Sequence, residues 1–242
     1  MKAEPSARGE REIVYGLRAT LAVFAKRPDD ILRVGYAREV RGEAAELVAW
    51  ASKRRVPCDE LTTRDLDRVA DSSHHEGLVV MARRRAWTTS KALGDLLAQK
   101  KGSAIALDRV RNPYNVGAIV RTAAFFGVDA LLVASELAPQ AVRVAEGGAE
   151  HMALARTTDL VDTLARLRQR GVRVVGADVR GSADAGELRE RPVVLVLGHE
   201  REGVADRVRA QCDALVRIEG TGAVESLNVG VAAGILIASM TR

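Results

Sequence analysis

Beyond Gly102 the chain alternates between short apolar runs and longer segments whose apolar residues recur at helical spacing. The apolar runs are SAIALD, ALLVAS, VRVVGAD, PVVLVLG and ALVRIEG. Strands that are apolar on both faces are typical of parallel sheets covered by helices on both sides. The segments between them, such as NVGAIVRTAAFFG and LVDTLARLRQRG, predict helices. The pattern therefore predicts an α/β fold with a parallel sheet.

The first part of the chain has a different pattern. Residues through Arg11 are polar, as in a frayed terminus. We predict helices over IVYGLRATLAVFAKRP, GEAAELVAWASKRRVP (ended by Pro57) and TTRDLDRVA (capped by Thr62 or Thr63), and strands over DDILRVGYA and GLVVMARRR. A segment that is basic at both ends, RRRAWTTSKALGDLLAQKKG, follows and contains a short amphipathic helix. The predicted organisation is a small α/β domain (1–86), a linker (87–101) and a second domain (102–242).

Composition narrows the classes of function. Hydrophobic residues make up 47% and charged residues 29% of the 242 residues, which is usual for a soluble protein. Aromatic residues are only 3%, which disfavours nucleic-acid recognition by rows of stacking rings. The net charge of +5 weakly favours a polyanionic partner. We found no secretory signal pattern and no apolar run long enough to span a membrane, so we expect a cytoplasmic protein.

Cysteine and histidine patterns predict neither a disulfide framework nor a metal site. Cys58 and Cys212 lie far apart and match no zinc spacing. The adjacent His74 and His75, followed by Glu76, would point in different directions on a helix or a strand, and no partner lies four residues on. We interpret this stretch as a loop.

A glycine-bearing loop near the end of the chain has the form of a nucleotide site. VRIEGTGAVESLNVGVAAGILIASM predicts a strand, a loop and an apolar helix. The dinucleotide pattern G-x-G-x-x-G fails because Glu225 occupies its third glycine position. The nucleophile pattern G-x-S-x-G fails around Ser226, and no phosphate-binding loop of the Walker type occurs. The loop by itself is compatible with a ligand site and also with a helix N-terminus that binds no ligand.

Three loops of unusual composition follow predicted strands: DRVRNPYNVGAIVRT, GHEREGV and EGTGAVESLN. Ligands of parallel sheets bind beyond the carboxyl ends of the strands, so we expect these loops to converge. Taken singly, their polar residues have ordinary explanations, as helix caps, turn residues or surface charges. Taken together, they would bring a carboxylate, a guanidinium, a hydroxyl and two amides to one sheet edge, from Asn115, Arg121, Glu200, Ser226 and Asn228.

Three motifs in these loops resemble those of the SpoU/TrmH family of SPOUT RNA methyltransferases. They are NVGAIVRT (115–122), VVLVLGHEREG (ending at Gly203) and SLNVGVAAG (226–234). The resemblance covers residues 102–242, and the N-terminal part resembles the small RNA-binding domain that precedes the catalytic domain in many members. It implies a catalytic domain whose chain forms a deep trefoil knot. Knotted chains are so rare that the hydrophobic pattern alone would not predict one.

The resemblance also implies a cofactor and a reaction. The cofactor would be S-adenosylmethionine, held mostly by main-chain groups at Leu197, Gly198, Ile218 and Leu227. Its methyl group would pass to a ribose 2′-hydroxyl. The family's arginine, here Arg121, is often described as the base, but an arginine side chain stays protonated at neutral pH. We expect it to bind a phosphate of the target and to stabilise the forming alkoxide, while an RNA phosphate or solvent takes the proton.

The other matched residues would support that chemistry. We expect Asn115 to orient Arg121 or the ribose, Glu200 to fix the guanidinium, and Ser226 with Asn228 to bind ribose or phosphate oxygens at a helix N-terminus. Family members are dimers, so a homodimer is implied.

The sequence departs from the family at two places that bear on the RNA target. Glu219 and Gly220 follow Ile218 where many relatives have proline and methionine, and Gly230 replaces a common serine. We expect ribosomal RNA as the target, with transfer RNA as the alternative. Two rival classes remain: an oxidoreductase with a degenerate dinucleotide site, and an RNA-binding relative that has lost catalysis.

Overall fold

The computed structural model describes residues 11–240 of the chain. The polar N-terminal stretch expected to be frayed lies, apart from Arg11, outside these residues. Two compact units are present: the described part of the first covers residues 11–86 and 142–150, and that of the second covers 87–141 and 151–240. Within residues 11–240, none of the helices combines the length and the apolar character needed to span a bilayer.

The first unit is built on a four-stranded mixed sheet in the order β1-β4-β2-β3. β4 pairs antiparallel with both β1 and β2, and β3 pairs parallel with β2. The strands are β1 (Arg11–Tyr15), β2 (Ile31–Tyr36), β3 (Cys58–Glu60) and β4 (Leu78–Arg83), and the helices are α1 (Leu17–Lys26), α2 (Ala45–Arg54) and α3 (Thr63–Ala70).

The predicted helix over residues 13–28 is partly wrong. Ile13 and Val14 lie in β1, where they pair with Met81 and Val80 of β4. Bulky and β-branched residues favour a strand once a partner strand is available. Gly16 then ends the strand at φ +96°, a conformation that side chains rarely adopt, so α1 begins only at Leu17. The short polar strand β3 was not predicted, because three residues carry no periodicity.

The other predictions for this unit differ from the structure only at element ends. Helix α2 stops at Arg54, before Pro57, because Arg55 takes the left-handed conformation at φ 57°. Thr62, and not Thr63, caps α3: its hydroxyl accepts the Asp65 N–H at 3.2 Å. The loop prediction for His74–Glu76 is confirmed.

The second unit is built on a six-stranded sheet in the order β10-β8-β9-β5-β6-β7. Every strand pair in it is parallel, as predicted. The strands are β5 (Ser103–Leu107), β6 (Ala130–Val133), β7 (Ala153–Arg156), β8 (Arg173–Ala177), β9 (Val193–Leu197) and β10 (Ala214–Val216). The edge strand β7 was not predicted, because ALAR has no β-branched residue.

Helices cover the sheet of the second unit and bury its apolar strands. Strands β5, β6 and β9 have every residue buried. The helices are α4 (Ser90–Lys100), α5 (Pro113–Phe125), α7 (Leu160–Gln169), α8 (Asp206–Arg209) and α9 (Val229–Met240), while α6 (Pro139–Val144) crosses the boundary between the units. Helix α4 lies in the predicted linker, and its Leu93 and Leu97 belong to the core of this unit. Helices α5 and α9 pack against each other.

Candidate functional site

The three motif loops all leave the carboxyl ends of strands in the parallel sheet of the second unit. The first follows β5, the second follows β9, which is its neighbour in the sheet, and the third follows β10. In a parallel sheet these ends lie at one edge, where ligands bind. Hydrogen bonds join three of the five expected polar residues: Asn115, Glu200 and Asn228.

These three residues form a continuous hydrogen-bond chain. Asn228 Nδ2 donates to Asn115 Oδ1 at 3.1 Å, and Asn115 Nδ2 donates to Glu200 Oε1 at 2.6 Å. The chain starts at α9, where the Gly230 and Val231 amides donate to Asn228 Oδ1 at 2.8 and 3.4 Å. Asn115 and Asn228, which are 113 positions apart in sequence, are thereby held in contact. Each asparagine accepts at oxygen and donates at nitrogen, so both amide orientations are fixed.

That arrangement leaves donors for a substrate. An asparagine side chain carries two N–H groups, and one of each pair is used within the hydrogen-bond chain. The second N–H of Asn115 and of Asn228 can meet a ribose or phosphate oxygen. Asn228 is exposed and Asn115 is half-buried, so a ligand can approach from the Asn228 side.

Helix α5 places Asn115 and Arg121, but it begins earlier than the motif does. Asn112 is its cap, since the Asn112 side chain accepts the Tyr114 N–H at 2.9 Å, and Pro113 is the first helical residue. Asn115 is therefore not the cap, and its side chain is available for Glu200. Arg121 lies on the same helix and is exposed to solvent.

Glu200 lies at the tip of a closed turn after β9, which we call the β9 turn (residues 198–204). The Gly203 N–H donates to the His199 carbonyl at 2.8 Å and closes the neck of the turn. Gly198 makes this closure possible: a Cβ atom there would lie 2.2 Å from the backbone of Gly203 and Val204. Glycine is required at this position by the close approach of two backbone segments.

The expected cofactor residues differ in burial. Leu197 and Gly198 are buried at the end of β9. Ile218 is half-buried and lies two residues past the end of β10, so the strand expected over ALVRIEG ends earlier, at Val216. Leu227 is 41% exposed, and Gly220 and Gly222 have open space around them. Exposed apolar side chains beside open glycine backbone suit a ligand held by main-chain groups and apolar contacts.

The segment after β10 has irregular structure up to Asn228, and its residues are exposed apart from the half-buried Ile218. Ser226 lies in it, three residues before the first residue of α9. The expectation that Ser226 lies at the N-terminus of the last helix is therefore wrong. Asn228 takes the capping role, because its side-chain oxygen accepts the two first-turn amides described above.

Two buried aspartates near the site were missed from sequence. Asp108 directly follows β5 and Asp178 directly follows β8, and both are nearly inaccessible to solvent. Asp178 accepts hydrogen bonds from Arg180 Nε and Nη2 at 3.1 Å each. The hydrogen bond from Arg180 holds the pKa of Asp178 below its ordinary value, although burial acts in the opposite direction. The sequence feature that could have identified both aspartates is a charged residue directly after a buried strand.

Within residues 11–240, histidine, cysteine and carboxylate side chains form no group of three able to hold a metal ion. His75 is buried instead, and its Nδ1 accepts the Gly77 N–H at 2.9 Å.

Two family models match the chain. The SpoU rRNA Methylase family model matches residues 102–238, more than half of the chain. The model described as RNA 2′-O ribose methyltransferase substrate binding matches residues 13–87. A relative in Escherichia coli O157:H7, named an uncharacterized tRNA/rRNA methyltransferase, YfiF, is 32% identical over 239 residues, which is 97% of this chain and 69% of the relative.

Solved structures of methyltransferases are similar to this chain as well. An AdoMet-bound rRNA methyltransferase from Sinorhizobium meliloti is 26% identical with a TM-score of 0.74, covering 96% of this chain and 87% of that one. The SpoU methyltransferase AviRb from Streptomyces viridochromogenes, in complex with AdoMet, has a TM-score of 0.79 at 21% identity over 100% of this chain and 93% of that one, which shows the shared fold. These complexes confirm the expectation that the family uses S-adenosylmethionine. The chain belongs to the SpoU rRNA Methylase family.

Proposed function

We propose that the protein transfers a methyl group from S-adenosylmethionine to a ribose 2′-hydroxyl of RNA. The observation that carries the proposal is the hydrogen-bond chain from Asn228 through Asn115 to Glu200. It joins one residue from each of the three motifs. Cap or surface roles would not require the three side chains to meet.

The cofactor assignment draws support from the chemistry of the loops. Leu197 and Gly198 at the end of β9, and Ile218 and Leu227 in the exposed segment, offer main-chain groups and apolar contacts without a charged signature. S-adenosylmethionine supplies a methyl group on a sulfonium, which needs no help in leaving. The protein then has to orient the hydroxyl, accommodate its charge and let its proton depart.

The polar residues divide this work. Arg121 binds a phosphate next to the target ribose and stabilises the alkoxide as it forms, because a guanidinium stays charged. Asn115 and Asn228 use their remaining N–H groups to hold ribose or phosphate oxygens. Glu200 fixes Asn115 and contributes the negative charge that positions the guanidinium. The proton of the hydroxyl passes to an RNA phosphate or to solvent. Ser226 approaches the same oxygens once RNA orders its segment.

The predicted domains fit this division of labour. Residues 1–86 would bind RNA and 102–242 would carry the reaction, while 87–101 would connect the two and add α4 to the core of the second unit. The match of the substrate-binding model to residues 13–87 supports this division. We further propose that the loops at the site form the trefoil knot that the family resemblance implies.

A homodimer would complete the site. Four large apolar side chains on the packed pair α5 and α9 are exposed: Tyr114, Phe125, Val231 and Ile235. Tyr114, Arg121 and Phe125 follow helical spacing and so share one face of α5. A second copy covering this face would bury Phe125, which is 83% exposed, and would bring its own surface close to Arg121. Light scattering of Phe125→Glu should show monomers, with Val69→Glu, an exposed valine in the first unit, as the control.

The test of the function combines binding and transfer. Calorimetry should detect S-adenosylmethionine binding and no NAD binding. Tritiated methyl groups should then enter RNA from cells that lack the gene, and nuclease digestion should release 2′-O-methylated nucleosides. Arg121→Ala should lose transfer by about 100-fold or more, whereas Arg166→Ala, an exposed arginine on α7, should not.

The outcomes separate the alternatives. Label in ribosomal RNA supports the first choice of substrate, and label in transfer RNA supports the second. Cofactor binding without transfer to any RNA would identify a relative that has lost catalysis. Tight NAD binding would refute the assignment and favour an oxidoreductase.

A further inference from the structure

Asp108 and Asp178 are both buried. A buried carboxylate is costly unless nearby groups donate hydrogen bonds to it. Asp108 lies at the carboxyl end of β5, one strand away from the β9 turn that carries Glu200. None of the roles proposed above for methyl transfer uses it.

Asp108 and the following residue hold the far side of the β9 turn. Asp108 Oδ2 accepts the Ala205 N–H at 2.7 Å, and Arg109 Nη2 donates to the Gly203 carbonyl at 3.1 Å. Arg109 also pairs with Glu202 at the tip of the turn. Its backbone takes φ +62°, a conformation unfavourable for arginine.

The position of Glu200 depends on the position of the neck of the β9 turn. The neck cannot open freely, because Gly198 packs directly on the Gly203 and Val204 backbone and because His199 and Gly203 are hydrogen-bonded. Residues 200–202, the tip of the turn, connect His199 to Gly203. A shift of Ala205 or Gly203 therefore moves the backbone of Glu200, and with it the 2.6 Å contact to Asn115.

We propose that Asp108 and Arg109 are positioning residues that set the Glu200 carboxylate against Asn115 by holding the β9 turn. The catalytic consequence rests on the proposed function. The structural part stands by itself, and the first experiment reads it without any enzymatic activity.

The chain offers a spectroscopic probe, because its only asparagines are Asn112, Asn115 and Asn228. Labelling with ¹⁵N-asparagine gives three side-chain amide signal pairs, two of which belong to the hydrogen-bond chain. Glu200→Ala defines how the Asn115 and Asn228 signals move when the carboxylate is lost. Asp108→Ala should move both signals in the same direction and leave the Asn112 signals in place.

Two further variants make the spectra decisive. Arg109→Gly adopts the same backbone conformation without strain, so it should fold even if Asp108→Ala does not, and it should move the Asn115 signals in the same direction. Asp159→Ala is the matched control: it removes an aspartate that accepts the Asp162 N–H at 3.0 Å on α7. Unchanged Asn115 signals in Asp108→Ala or Arg109→Gly, or equal movement in Asp159→Ala, would overturn the proposal.

A kinetic cycle tests the consequence for catalysis. Asp108→Ala should lower kcat by about tenfold to 100-fold, since a displacement of about 1 Å can have that effect. In a Glu200→Ala background the same substitution should change kcat by less than about twofold, because the two act through one contact. Equal losses in both backgrounds would show a general structural role and contradict positioning. Absence of transfer by the unmodified protein would count against the proposed function, while the amide spectra would still decide whether the turn is held.

Discussion

Replacement of Gly198 by alanine is the sharpest perturbation of the β9 turn. The added Cβ would lie 2.2 Å from the Gly203 carbonyl carbon and from the Val204 nitrogen. Carbon atoms in ordinary contact lie about 3.5–4.0 Å apart, so the overlap exceeds about 1 Å. Both colliding atoms belong to the backbone, which cannot move aside as a flexible side chain can. The neck of the turn must open.

The cost follows from that geometry. Overpacking of a close-packed interior costs about 1–3 kcal/mol, and more where backbone must shift. We expect the free energy of unfolding to fall by about 2–4 kcal/mol. At about 2–4 °C per kcal/mol for a protein of this size, the melting temperature should drop by about 4–16 °C. Opening the neck also displaces Leu197 and Gly198, which we propose hold the cofactor, so S-adenosylmethionine affinity should fall at least about tenfold.

Scanning calorimetry and titration calorimetry measure the two effects. Gly42→Ala is the control, because a Cβ at Gly42 would meet nothing within 4 Å. That variant should be neutral or slightly stabilising, by up to about 1 kcal/mol. If Gly198→Ala melts as the parent does and binds the cofactor equally well, the close approach in the turn is not a constraint on this protein.

Two further predictions concern titratable groups. Asp178→Asn should cost about 1–3 kcal/mol of unfolding free energy at pH 7, because the pKa of Asp178 is lowered by its hydrogen bonds from Arg180. A carboxylate whose pKa is lowered by folding stabilises the folded state at pH values above its unfolded pKa of about 3.9. The difference in unfolding free energy between Asp178→Asn and the parent, measured by urea titration, should therefore shrink as pH falls below about 4. A difference that grows there would contradict the assignment. Burial raises the pKa of the Cys212 thiol to about 11. At pH 8 only about one in a thousand such thiols is ionised. Burial raises the pKa of Cys58 too, but Cys58 is the less buried thiol, so Ellman's reagent should modify it first. Peptide mapping that finds Cys212 reacting faster would contradict the raised pKa of Cys212.

Sequence alone determined much of the second unit. The apolar runs specified a parallel sheet, because a strand buried on both faces must be apolar on both faces. The three motifs identified the family and named the residues of the hydrogen-bond chain. Local pattern was weaker where pairing decides the conformation: Ile13 and Val14 form a strand only because β4 lies beside them. The strands β3 and β7 are too short or too rich in alanine to be recognised without their partners.

Only the tertiary structure decided which polar side chains meet. Asn115 and Asn112 are both asparagines near a helix start, and spacing could not tell that Asn112 caps α5 while Asn115 reaches Glu200. The importance of Asp108 was also hidden, since its partner Ala205 lies 97 residues away and offers only a backbone amide. A backbone amide has no sequence signature. The residues that we propose for the chemistry can thus be identified from motifs, whereas the contacts that hold them in place arise only when the chain folds.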